Sequence, residues 1–300
     1  MRTHIPARPL ALFLVLSFGG AWLVASPLWL NGQGLATPGS IVFLVAMMFI
    51  PALAARVTEW VLPSGTPFLK LTTLKPARPF RRWIGYAVIA WLAPIIMTAA
   101  SLLIASLLGV YQFDLVNFSG AAKTLSQLPG GSALPVPIET LVGIQLVSLL
   151  FAPALNVIPA LGEEIGWRGY LQQRLLPLGQ WPAVLLTGVA WGLWHAPVIL
   201  LGYNYPGYPP ALALTLMVIF CTLLSVLLGW LTIASGTVWT AAIAHGFING
   251  VASLGMLVAA AGPIDTAAAG LLGYSGWAVM MLLIILLVAL RRFPRPSRTA

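Results

Sequence analysis

The sequence predicts an all-α polytopic membrane protein, a bundle of about eight transmembrane helices with a polar site between helices four, five and seven. Three observations predict it. Hydrophobic residues make up 60% of the 300 residues and charged residues 7%. Mean hydropathy is +0.96, outside the range of soluble domains of this length. The apolar residues gather in continuous runs of the length that crosses a bilayer as a helix. A β-barrel, the other spanning solution, needs alternating polar and apolar residues, and these runs do not alternate. Finally, the basic residues fall where every second connection of such a bundle would be.

The runs lie at roughly 10–30, 41–62, 83–108, 140–160, 181–201, 211–234, 237–260 and 270–290. Residues 1–9 form a short N-terminus with Arg2 and Arg8. The first run is longer than the core of a signal peptide, and Pro27 stands where cleavage would be expected, so it is read as a retained span. Arg56 and Glu59, three apart in the second run, are expected to pair locally. Segment 63–82 carries Lys70, Lys75, Arg78, Arg81 and Arg82 among four prolines and reads as a surface loop. Segment 110–139, with turn signals at Pro129-Gly-Gly131 and Pro135-Val-Pro137, is the longest loop on the other side. Arg168 and Arg174 follow the fourth run. Tyr203, Tyr205 and Tyr208 crowd loop 202–210 and read as interface anchors. Cys221, the single cysteine, excludes an intramolecular disulfide and reads as packing in the sixth run. The tail, 291–300, holds Arg291, Arg292, Arg295 and Arg298. The whole of 10–290 is one membrane domain.

Thirteen of the fifteen Lys and Arg residues therefore fall on one side of an eight-span bundle, Arg56 lies near that side, and Lys123 is opposite. The positive-inside rule places both termini and the basic loops in the cytoplasm. The net charge of +9 is then a topology signal and a contact with anionic lipid, not a nucleic-acid surface.

Only six residues are acidic, and two are adjacent, Glu163 and Glu164. A carboxylate near hydrocarbon is costly and points to function. Helical spacing separates the two. Glu164 and Arg168, four apart, share a face and can pair; Glu163 points elsewhere and has no partner at that spacing. A carboxylate so placed suits a general base. His195 lies fourteen residues beyond Trp181, on the order of 20 Å into its helix. Trp191, one turn earlier, can wall its imidazole off from lipid. His245 and Asn249 share a face of the seventh run. Each residue alone also reads as a satisfied packing group. Together they supply a carboxylate, two imidazoles and an amide, each reachable from the cytoplasmic side. One carboxylate, helped by an imidazole, can activate water, while the other imidazole and the amide donate to an oxyanion.

At Glu163-Glu-Ile-Gly-Trp-Arg168, Trp191-Gly-Leu-Trp-His195 and His245-Gly-Phe-Ile-Asn249 the chain resembles the CAAX-protease and bacteriocin-processing (CPBP, or Rce1/Abi) intramembrane proteases. The order and spacing agree over roughly 140–255. The family usually has Phe where this chain has Trp191, and a shielding role is expected to survive the change. The resemblance implies hydrolysis of a peptide bond in a membrane-associated protein or peptide, lipidated or bacteriocin-related, by Glu163, Glu164, Arg168, His195, His245 and Asn249. It also implies a bacterial inner-membrane protein whose other partners are lipids.

No cofactor is expected. Glu163, His195 and His245 would be the ligands of zinc or another divalent metal, since catalytic zinc takes three protein ligands and a water, but no His-Glu-x-x-His signature is present. A non-catalytic interaction or immunity protein and a small transporter remain open; no inverted repeat supports the latter.

Overall fold

The computed structural model describes residues 5–76, 79–127 and 136–293, with Arg82 and Ala152 described by backbone alone. The turn signals at 129–131, His4, and the tail beyond 293 lie outside the described residues.

Among the described residues all regular secondary structure is helical, apart from one isolated bridge between Phe113 and Ala259. Helices α1 (Ala7–Leu30), α2 (Ser40–Val61) and α4 (Phe80–Leu107) are long apolar spans, with the short α3 (Phe68–Leu71) between the last two. Proline opens several elements, with Pro67 before α3 and Pro79 before α4. Its fixed φ suits the start of a helix, where its missing N–H costs nothing. Helix α5 (Ser119–Ser126) lies in the long loop. Helix α6 (Ile138–Ser148) then breaks, and a second helical stretch runs from a 3₁₀ turn at Ala152–Asn156 through α7 (Val157–Glu164), a π-helical segment Ile165–Leu171, and α8 (Gln172–Leu175). Next come α9 (Gln180–Trp194), α10 (Ala196–Ile199), α11 (Pro210–Ser235), α12 (Trp239–Val251), α13 (Leu254–Leu257) and α14 (Tyr274–Ala289).

By length and composition, α1, α2, Trp83–Leu107, α11 and Trp239–Leu257 can each cross a membrane alone. The fourth and fifth expected spans take other forms. Helix α6 and Pro153–Leu178 are bent by 47° to one another. Helix α9 stops at Trp194, three residues before Pro197, whose ring and missing N–H cannot continue the ladder. Helix α14 has 16 residues, fewer than the run 270–290 suggested.

The fourth span corrects the sequence reading most. The apolar run ends near 160, so Glu163 lies just beyond the span that hydropathy marks. The helical stretch instead continues to Leu178, with Gly162, Glu163, Glu164 and Gly166–Leu171 all buried. Its polar residues face neighbouring helices instead of lipid, so hydropathy alone did not register them as spanning. Two glycines permit the fit. A Cβ on Gly162 would lie 2.8 Å from the Met48 carbonyl oxygen, and one on Gly166 would lie 2.3 Å from Pro51 Cβ. Small residues four apart let this stretch lie directly on α2.

Side-chain contacts sort the loops into two ends. At one end Phe13 packs on Trp167 (5.7 Å between rings), Tyr170 Oη donates to Glu59 Oε1 (3.2 Å), and Trp181 stacks on Phe293. Trp230 Nε1 also donates to the Arg292 carbonyl there. At the other end Trp29 Nε1 donates to the Pro197 carbonyl (2.9 Å), Tyr111 Oη to that of Gly255 (2.6 Å), and Tyr205 Oη to that of Leu272 (3.0 Å). Tyr205 is fully buried, so it ties loops together and is not an interface anchor. Tyr208 likewise donates to Asp265 Oδ1 (2.6 Å). The expected Arg56–Glu59 pair does not form. Glu59 pairs with Arg174 and accepts from Ser64, while Arg56 lies over the Phe68 ring at 5.6 Å.

Candidate active site

Glu163 and Glu164 close α7, where the chain passes into its π-helical turn. Such turns occur often at functional sites because the widened ring re-aims the side chains around it. Glu164 and Arg168 pair as their spacing predicted, Nη1 to Oε1 at 2.7 Å, and both side chains are fully buried. A buried pair survives only where further groups satisfy it. Here His245 Nδ1 reaches the same Oε1 at 2.8 Å, and the Arg168 guanidinium lies 4.1 Å from the centre of the Trp191 ring.

Glu163 is not without a partner. Trp191 Nε1 donates to Glu163 Oε2 at 2.6 Å. This corrects the sequence reading twice over: the lone carboxylate has a donor, and Trp191 does more than shield. Its indole binds Glu163, its face carries Arg168, its edge meets His245 at 5.2 Å between rings, and its carbonyl holds His195 Nδ1 at 2.8 Å. Neither contact of the indole with α7 left a signal in the sequence, because both cross from one helix to another. Cys221 is buried with Sγ 3.9 Å from His195 Nδ1, so it packs beside the site.

The partners fix which ring nitrogens are free. A backbone carbonyl can only accept, so His195 Nδ1 carries a proton and its Nε2 is turned elsewhere. By the same reasoning, with Glu164 ionised beside Arg168, His245 Nδ1–H donates to it. Glu163 keeps Oε1 for another donor.

Glu163, Trp191, His195, His245 and Asn249 all line one cavity of about 640 Å³, a size typical of ligand sites. Glu164 and Arg168 lie behind that wall, not on it. Asn249 is exposed to the cavity, His195 is half-buried, and Glu163 and His245 show only a few per cent of their surface. The rest of the wall is mostly apolar, including Met47, Met48, Met217, Phe220 and Leu224.

Among the described residues no three His, Cys, Asp or Glu side chains gather closely enough to hold a metal ion. As placed, Glu163, His195 and His245 do not form such a group.

Residues 145–251 match the family described as type II CAAX prenyl endopeptidase Rce1-like. This segment is Rce1-like. It runs from α6 to the end of α12 and includes Glu163, Glu164, Arg168, His195, His245 and Asn249. Comparison with curated proteins gives no match. The matched family is one of proteases, which supports a protease here, and the long apolar helices support an integral membrane protein. The three motifs that suggested the family all lie inside the Rce1-like segment.

The extent of the cavity departs from another expectation. The site was read as reachable from the side of the basic loops. Its lining instead extends to Tyr203, Asn204, Ile264 and Thr266, in the loops of the opposite end.

Proposed function

We propose that this protein is an intramembrane endopeptidase that hydrolyses a peptide bond of a membrane-associated protein or peptide. The observation that carries the reading is the convergence of Glu163, His195, His245 and Asn249 on one largely apolar cavity, with one Glu163 oxygen held by Trp191. Fixing Oε2 leaves Oε1 to take a proton from water. The water oxygen attacks the carbonyl carbon as that proton leaves, and the carbonyl electrons pass to its oxygen. Asn249 Nδ2–H donates to this oxyanion. His195 offers its Nε2 lone pair to the incoming water. His245, when doubly protonated, adds an Nε2–H donor opposite Glu164. Collapse breaks the C–N bond, and Glu163 returns its proton to the leaving nitrogen, giving a carboxylic acid and an amine.

Glu164 and Arg168 act through others in this scheme: they hold His245 and the Trp191 ring. No metal is used. The lipidated or bacteriocin-related character of the substrate rests on the family resemblance alone.

The test is Glu163→Gln, which keeps the shape and the Trp191 contact but removes the base. Membranes carrying this variant should accumulate uncleaved substrate while the protein folds normally, and full cleavage would refute the assignment. Activity that survives exhaustive chelation, in protein free of stoichiometric metal, supports the metal-free route; loss with recovery on adding zinc refutes it.

A further inference from the structure

The two ends of the bundle differ in charge and in closure. One end carries Arg8, Lys70, Lys75, Arg81, Arg174, Arg291 and Arg292 among the described residues. The other carries Lys123 with three of the six acids, Asp114, Glu139 and Asp265. The basic end is sealed above the site. Thr237 Oγ1 and the Val238 amide donate to the Thr73 carbonyl, and Trp239 Nε1 donates to that of Leu74. This strap covers a buried layer that includes Thr72, Arg168, Gln172 and Thr240, all fully buried. None of the cavity lining comes from residues 66–76, 167–181, 230–239 or 290–293. The lining runs the other way, to Ile41 in the first turn of α2, Leu102 near the end of α4, and Asn204 and Thr266 in the loops.

Among the described residues no lysine or arginine lines the cavity. A free C-terminal carboxylate would find no unengaged cation there, since Arg168 lies behind the wall paired with Glu164, and a doubly protonated His245 is paired with the same carboxylate. Burying such a charge unpaired is prohibitive. An internal stretch of apolar peptide carries no such charge and matches the wall.

We propose that the substrate enters from the face opposite the basic loops, which the positive-inside rule makes the extracytoplasmic face. It does so as an internal, apolar peptide segment lying against the outer leaflet, not as a cytoplasmic C-terminal tail. The identity of the occupant rests on the protease reading above; the side of access does not.

The experiment uses single cysteines in a Cys221→Ala background and a membrane-impermeant maleimide on sealed right-side-out vesicles. Asn204→Cys and Thr266→Cys probe the mouth, Met48→Cys the cavity interior, and Lys75→Cys the opposite end. The first three should label before lysis and Lys75→Cys only after it. Two mouth positions guard against one variant failing to fold. Labelling of Lys75→Cys before lysis with both mouth positions protected would reverse the orientation and overturn the proposal. So would a Met48→Cys that reacts only from the Lys75 side. These readouts need no turnover, so they stand apart from Glu163→Gln. For the occupant, an apolar peptide added outside should protect Met48→Cys equally with its C-terminus free or amidated. Protection that requires the free carboxylate would overturn that part.

Discussion

The indole N–H of Trp191 donates to Oε2 of Glu163 across 2.6 Å, although the two residues are 28 apart in sequence and on different helices. A hydrogen bond to a charged group is worth about 1.5–3 kcal/mol. It also decides which of the two carboxylate oxygens is engaged and which is left for another partner.

Trp191→Phe therefore tests a positioning role. Phenylalanine keeps an aromatic ring for Arg168 to stack on and keeps the carbonyl that holds His195, but removes the N–H. We expect kcat to fall by roughly ten- to a hundredfold, the rate equivalent of that bond. KM should change little, and thermal stability should fall by no more than the worth of that bond, about 1.5–3 kcal/mol. A variant with unchanged kcat would reduce Trp191 to the shielding role that the sequence suggested.

Glu164 should behave differently from Glu163. It is fully buried and holds both Arg168 and His245. Replacing it by glutamine leaves the Arg168 charge buried without its counter-ion, which costs about 3–5 kcal/mol. Thermal unfolding in detergent should show a large drop for Glu164→Gln and almost none for Glu163→Gln. Equal stability losses would mean that the two carboxylates do not have separate roles.

Gly166→Ala tests the contact that seats the site on α2. The new Cβ would meet Pro51 Cβ at 2.3 Å and its carbonyl carbon at 2.7 Å. Neither can move aside as a flexible side chain would. Overpacking of this kind costs about 1–3 kcal/mol. Because Gly166 follows Glu163 by three residues, activity should fall along with stability, and Gly143→Ala, which meets nothing within 4 Å, is the control.

Asp114 gives a pH-dependent signal far from the site. It accepts from the amides of Val116, Asn117 and Ser119 in the long loop. The Ser119 side chain contributes most, followed among the amides by Asn117, and together these bonds lower its pKa to about 2. A depressed carboxyl stabilises the folded loop at pH above the ordinary carboxylate range, and that contribution is lost as pH falls toward 2. Amide exchange at Val116, Asn117 and Ser119 should lose protection over that acidic window and be flat above it. Asp114→Asn should abolish the dependence.

Much of this protein could be read from its residues. Hydropathy gave the class of fold, because no soluble core uses such long apolar runs. The pairing of Glu164 with Arg168 follows from a spacing of four, and the grouping of basic residues at one end follows from their alternation between spans. These signals are local, and local rules suffice for them. Other features were out of reach. The sequence ended its fourth span near 160 because a polar residue facing neighbouring helices scores the same as one facing water. The partners of Glu163 and Glu164, Trp191 and His245, lie 28 and 81 residues away and meet only when α7, α9 and α12 pack.

The sequence by itself determined an all-helical membrane protein, a segment at 145–251 similar to the Rce1-like family, its set of polar residues, and the basic end of its bundle. Tertiary structure alone decided which oxygen of Glu163 is free, which nitrogens of the two histidines are free, and which end the cavity faces. The reason is physical: spacing along a helix fixes which side chains share a face, but only the packing of helices against one another fixes what that face meets.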